Sequence, residues 1–272
     1  MPPLYVLPFP EIDPVAFSIG PLAVRWYALA YVFGLLLTLA YAKHLVRRPE
    51  LWDATGPPVS SEQLDDFLLW ATLGVVIGGR LGYVLFYNLP QYSSHPLAIL
   101  EVWHGGMSFH GGFLGVVAAS WLYARSHDLR LDRLLDVAAA GVPIGLGLGR
   151  LANFINGELY GRPSSAPWAM VFPNGGPEPR HPSQLYEALL EGLVLFAVIK
   201  IATDRYHALA RPGLVAGIFA LGYGLARFGI EFCREPDVQI GPVIGFLTAG
   251  MLLSLPLMAI GLWLIQRALK AA

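Results

Sequence analysis

The chain has little charge and almost no cysteine. Only 14% of its 272 residues are Asp, Glu, Lys or Arg, against 55% hydrophobic, and the mean hydropathy is +0.54. A soluble domain carries about 25% charged residues, so a soluble globular fold does not suit this sequence, and disorder suits it less. One cysteine excludes a disulfide framework and a cysteine metal cage. The net charge of −1 gives no support to nucleic-acid binding. No internal repeat or low-complexity tract is visible. The opening MPPLYVLPFPEIDP lacks the basic region of a cleavable signal, so the first apolar stretch is expected to be retained.

What remains is a polytopic membrane protein. Apolar stretches lie at about 20–42, 67–87, 109–124, 134–151, 185–202, 213–232 and 240–265. A span takes about 20 residues, so we expect an all-α integral membrane protein with about seven transmembrane helices. The whole of 1–272 forms one domain in this reading. The third and fourth stretches are short and glycine-rich, and are expected to be tilted, broken or partly re-entrant. Gly74, Gly78 and Gly82, and likewise Gly141, Gly145 and Gly149, recur every four residues, a spacing that lets helix backbones approach closely.

Basic residues give the orientation. Lys43, Arg47, Arg48, Arg125, Arg130, Arg133, Lys200, Arg205, Arg211, Arg267 and Lys270 are 11 of the 18, and all fall in loops or tails of one side. By the positive-inside rule that side is the cytoplasm. The N-terminus is then outside, the C-terminus inside, and the 152–184 connection outside.

Several charges sit where lipid penalises them. Arg25, Arg80, Arg150 and Arg227 lie in or at the edge of apolar stretches, as do Glu187, Glu191 and Glu231. A charge at bilayer depth costs about 2.5–3.5 kcal/mol even on the lenient insertion scale, so these groups should face a partner or a polar cavity. Tyr223, Arg227 and Glu231 share one helix face, which Arg234 extends, and Glu187 and Glu191 share another. The densest polar run, Gly149 to Arg162, holds Arg150, Asn153, Asn156, Glu158 and Tyr160 among glycines. Arginine offers a planar fork to phosphate and asparagine a neutral donor, a combination that suits an anionic phospholipid headgroup. A third cluster, Trp103 to Gly112, contains His104 and His110. Their spacing matches no zinc signature and no third ligand is evident. His110 is a candidate general base.

Together these blocks resemble one family, the prolipoprotein diacylglyceryl transferases. GRLANFINGELYG (149–161) is similar to that family's signature, G-R-x-[GA]-N-F-x-N-x-E-x-x-G. HGGMSFHGG (104–112), HPSQLYEALLEG (181–192), GGRLGYVLFYN (78–88), RWYALAY (25–31), the opening FPEIDPVAFSIGPLAVRWY and the Tyr223-Arg227-Glu231 face resemble its other blocks, in order along the chain. The resemblance implies transfer of the sn-1,2-diacylglyceryl group of phosphatidylglycerol to the lipobox cysteine thiol of a preprolipoprotein signal peptide. It also implies a bacterial inner-membrane enzyme, with its active site toward the outer leaflet and no cofactor or metal. The thiol must be deprotonated and the departing phosphate neutralised. On that basis Arg150, with Asn153, Asn156 and Gly161, is assigned to the phosphatidylglycerol headgroup. Arg227 is assigned to leaving-group charge, positioned by Tyr223 and Glu231, and His110 to the base. Glu158 orients Arg150 or the headgroup, and Tyr27 is a weaker cavity candidate. A transporter or a lipid-binding subunit is the rival class; the missing repeat and the crowding of polar residues toward one side count against a transporter.

The orientation is tested by reporter fusions. Alkaline phosphatase fused after Ala272 should be inactive and within 164–179 active; the reverse pattern would overturn the topology.

Overall fold

The structure is a computed structural model that describes residues 7–101, 105–235, 242–244 and 247–270. Trp103, His104 and the beginning of the seventh apolar stretch lie outside the described residues. In chain order the elements are β1 (Val15–Ile19), β2 (Leu22–Arg25), α1 (Trp26–Val46), α2 (Ser61–Tyr87), α3 (Leu89–Ser94), α4 (Phe109–Ser126), α5 (Leu131–Ile155), α6 (Ser183–Glu187), a π-helical turn (Ala188–Val194), α7 (Leu195–Tyr206), α8 (Leu214–Ile230), β3 (Pro242–Ile244), β4 (Leu247–Thr248) and α9 (Ala249–Lys270). The fold is mostly helical. Trp26–Val46, Ser61–Tyr87, Leu131–Ile155 and Ala249–Lys270 are long and apolar enough to cross a membrane. Large apolar side chains such as Phe86 and Leu193 are exposed along the helices, whereas the polar Ser183, Gln184, Glu187 and Glu191 are fully buried. Neither feature suits a protein surrounded by water.

Three expectations are corrected. The first apolar stretch is not helical from residue 20, because β1 and β2 pair as an antiparallel hairpin. Gly20, at φ 58°, and Pro21 turn the chain there, and the helix begins at Trp26. Arg25 therefore ends a strand, exposed, rather than lying inside a helix. A second short hairpin, β3 with β4, precedes α9, so the fold is not purely α. The third and fourth stretches are continuous helices of 18 and 25 residues. Glycine there shortens helix separation instead of breaking the helices.

The glycine rows explain the pairing of the helices. α2 lies on α4, and a Cβ built on Gly74 would stand 2.6 Å from the Gly115 carbonyl oxygen. On the paired helices α1 and α5, a Cβ on Gly34 would stand 3.0 Å from the Gly145 Cα, and Thr38 Oγ1 donates to the Gly141 carbonyl at 3.0 Å. Gly149 has open space around it and makes no such approach. A Cβ on Gly192, in the π turn, would stand 2.7 Å from the Gly147 Cα, which brings that turn against α5. Ser60 and Gln63 cap α2 reciprocally at 3.2 and 2.8 Å.

One end of the bundle is a packed, ion-paired plate. Leu45, Leu51, Leu134, Val137, Ile199, Leu209 and Val215 bury together there. Arg48 pairs with Asp204 at 2.7 Å, Arg133 with Asp53 at 3.2 Å and Arg267 with Asp132 at 2.7 Å. Buried Asp136 caps α8 by accepting from the Gly213 and Ala216 amides at 2.6 and 2.8 Å. These contacts join the end of α1, the start of α5, the end of α7, the start of α8 and the end of α9. The basic loops read from the sequence thus gather at one end, and the polar cluster of the next subsection lies at the other.

Gly115→Val should lower thermal stability in detergent by ~3 kcal/mol or more, because the obstacle is the Gly74 backbone rather than a movable side chain. An unchanged melting temperature would show that α2 and α4 can separate freely.

Candidate active site

Six charges meet in one buried place, four from helical segments and two from the turn after α8. α5 brings Arg150, α6 and the π turn bring Glu187 and Glu191, and α8 brings Arg227. Glu231 and Arg234 follow in the turn that leaves α8. Arg150 donates from both Nε and Nη2 to the same oxygen of Glu191, Oε2, at 3.2 and 3.1 Å. Its Nη1 faces Glu187 Oε2 at 3.4 Å. Glu187 Oε1 accepts from Arg227 Nη1 at 3.3 Å and from Arg234 Nη1 at 3.1 Å. Arg227 also pairs with Glu231 one turn on, and Arg234 Nε stands 3.9 Å from the same carboxylate. Thr248 Oγ1 donates to Glu231 Oε2 at 2.5 Å and accepts from the Met251 amide at 3.2 Å, which ties α9 to the cluster.

The glutamates are the inner partners. Glu187 and Glu191 are 0% exposed, while the Arg150 and Arg227 side chains keep 17% and 16% of their surface. Buried carboxylates are tolerated only when paired and hydrogen-bonded, and here the arginines do the pairing. Arg150 and Arg227 are thus the least buried members of the cluster, and Arg234 is buried with the glutamates. Tyr223 lies within electrostatic reach of Arg150, Arg227, Glu187 and Glu191.

The loop after α5 forms a second group of polar contacts. Glu158 Oε1 accepts from Asn153 Nδ2 at 2.8 Å and Asn156 Nδ2 at 3.3 Å. Gln184 Nε2 holds the Glu158 carbonyl at 2.6 Å. Gly157 and Leu159, at φ 64° and 58°, turn the chain around this point. Glu158 thus gathers the two asparagines, while Arg150 is held by Glu191 and Glu187. Gly161 is a backbone joint: a Cβ there would stand 2.7 Å from His181 Cβ, and its amide donates to the His181 carbonyl at 2.8 Å. Outside the helices, burial holds His181 below its ordinary pKa. Its Nδ1 lies 3.1 Å from the Tyr186 hydroxyl, which accepts from Trp168 Nε1 at 2.6 Å.

The remaining candidates lie around this centre. The Tyr27 hydroxyl is 3.0 Å from that of Tyr31, and Tyr27 is within electrostatic reach of Glu158 and Arg150. His110 is exposed in the first turn of α4, whose start Ser108 caps through the Gly111 amide at 3.2 Å. Buried Arg80 donates to the carbonyls of Ala98 and Ile99 at 2.6 and 2.8 Å and of Glu101, Gly105 and Gly106 at 3.1, 2.6 and 3.3 Å, and lies over the Tyr92 ring at 5.1 Å. It organises the connection before α4. Sequence reading missed that Glu191 and Glu187 are the partners of Arg150, and that Arg234 and Thr248 complete the cluster. The visible signal was the pair of glutamates on one face of an apolar stretch.

The prolipoprotein diacylglyceryl transferase family model matches residues 14–267. The chain belongs to that family. It is 58% identical, over 99% of its own length and 96% of the relative's, to a protein of Brucella canis called phosphatidylglycerol–prolipoprotein diacylglyceryl transferase. Proteins of the same name from Brucella ovis and Brucella suis match equally, at 58% identity over the same shares. The cluster and the Asn153–Glu158 loop both lie within the span of the family match.

Glu187→Gln should be the most damaging single change to stability in this family member's cluster. It removes the charge facing three arginines, and breaking a buried pair costs about 3–5 kcal/mol. Thermal melting in detergent checks this; a loss no larger than that of an exposed variant such as Glu50→Gln would contradict the shared-counterion geometry.

Proposed function

We propose that the protein transfers the sn-1,2-diacylglyceryl group of phosphatidylglycerol to the lipobox cysteine thiol of preprolipoproteins. A carbon–sulfur bond forms at the glycerol carbon, the carbon–oxygen bond to phosphate breaks, and glycerol phosphate leaves. The single observation that carries this reading is Arg150, a partly exposed arginine whose fork is held by the buried Glu191 and Glu187. A phosphodiester matches that fork bidentately. The names of the relatives and the family support the same substrates.

In this reading seven helical rods span the bacterial inner membrane, the N-terminus lies outside, and the plate of basic loops faces the cytoplasm. The cluster then lies toward the outer leaflet, beneath the connection numbered 152–184. Arg150 holds the lipid phosphate. Arg227, fixed by Glu187 and Glu231, neutralises charge that grows on the departing phosphate, the place where preorganised donors are most effective. Asn153 and Asn156, gathered on Glu158, present the headgroup loop, with Gly161 as its backbone joint and Tyr27 at its edge. Tyr223 lies beside both arginines and positions Arg227. His110 takes the thiol proton, because the thiolate is the nucleophile. The chain's own Cys233 plays no part in this scheme.

Purified protein, phosphatidylglycerol and a lipobox peptide should yield a diacylglyceryl adduct on cysteine by mass spectrometry; a folded sample that gives none would refute the proposal. Arg150→Lys keeps the charge but loses the fork, and turnover should fall on the order of 100-fold with insertion intact. Wild-type turnover in that variant would reduce Arg150 to a point charge.

A further inference from the structure

The cluster is charge-balanced before any lipid arrives. Among the described residues, Arg150, Arg227 and Arg234 face Glu187, Glu191 and Glu231. Glu187 meets three arginines and Glu231 meets two plus Thr248. Glu191 has an ion pair with Arg150 alone. Moreover, both Arg150 donors converge on one of its oxygens, Oε2. The other, Oε1, is buried and has no hydrogen-bond partner. The charges within reach of it are Arg150 from α5, Glu187 from α6 and Arg227 from α8, with Tyr223 of α8 beside them.

A phosphodiester brings one more negative charge to this place. Its oxygens would compete with Glu191 Oε2 for Nε and Nη2 of Arg150, or take Nη1, which faces Glu187 without forming a hydrogen bond. Either way, Arg150 would face three anions at once. Like charges crowded at low dielectric raise the affinity of one of them for a proton. Glu191 is the least compensated of the three carboxylates, and Oε1 is a vacant acceptor where a proton can sit. The carboxylic acid so formed could then donate to a phosphate oxygen.

We propose that Glu191 takes up one proton from solvent when an anionic lipid phosphate binds Arg150, and releases it when the phosphate product leaves. Glu191 is thus a positioning residue: it holds the Arg150 fork in the free enzyme and yields it, protonated, to the lipid. The proposal rests on Arg150 as the phosphate receptor. Lipid affinity then weakens as pH rises, because the proton becomes scarcer, by about tenfold per pH unit wherever the free carboxyl is ionised and the bound one is not.

Calorimetric titration of the full-length protein in detergent with short-chain phosphatidylglycerol, in two buffers of contrasting ionisation enthalpy at pH 7, reads the proton directly. The expected result is a buffer-dependent heat corresponding to as much as one proton taken up per lipid. Glu191→Gln should bind lipid with a buffer-independent heat and a flat pH profile. Measurable binding by wild type with the same heat in both buffers overturns the proposal without any variant. Uptake that persists in Glu191→Gln also overturns it, by placing the proton elsewhere. Failure of the wild type to retain the lipid in equilibrium dialysis refutes the underlying phosphate-receptor reading, and the proposal with it. That outcome differs from buffer-independent binding, so the two failures are separable.

Discussion

The Glu187 carboxylate, buried among three arginines from two parts of the chain, is the interaction on which the site depends. It joins α5, α6 and the segment leaving α8 through contacts of 3.1–3.4 Å. Lipid cannot solvate these charges, so each helix must find its partners within the bundle. That requirement fixes the relative depth of the three helices more strictly than apolar packing can, because apolar side chains slide against one another at small cost. The glycine contact between Gly147 and Gly192 then sets how closely the π turn approaches α5. Wider helical turns of this kind recur at functional sites, and this one carries Glu191.

The two ends of the bundle use charge differently. At the basic end, arginine and aspartate tie loops together over a sealed apolar core, and Asp136 is spent on capping α8. At the other end, Arg150 and Arg227 stay partly exposed while Glu187 and Glu191 are sealed beneath them. The first arrangement holds a structure together. The second sets three arginines against three glutamates inside an apolar bundle, and in the proposed function it is there that the lipid phosphate binds.

How much of this was legible depended on whether a feature repeats along one helix. The glycine rows and the Tyr223-Arg227-Glu231 face are periodic, and the structure uses both as helix contacts and as a shared face. The pairing of Arg150 with Glu191 joins residues 41 apart on different helices, and no period reports that. Glu158 was assigned to orienting Arg150 or the headgroup; its carboxylate accepts from Asn153 and Asn156, the two asparagines assigned to that headgroup. The β1–β2 hairpin was hidden because a short apolar strand and the start of an apolar helix look alike in sequence. Arg80 was read as an intramembrane charge awaiting a partner. Its partners are backbone carbonyls of an irregular connection, which carry no sequence signature.

The central claim is that the arginine–glutamate cluster receives the lipid phosphate. A structure of the full-length protein with phosphatidylglycerol bound tests it most directly. The phosphate should lie within hydrogen-bonding distance of the Arg150 guanidinium, with Arg227 facing the oxygen that becomes the leaving group. A headgroup seated instead at Arg80, or among Arg130, Asp132 and Arg267 at the opposite end, with the Arg150–Glu191 pair undisturbed, would contradict it.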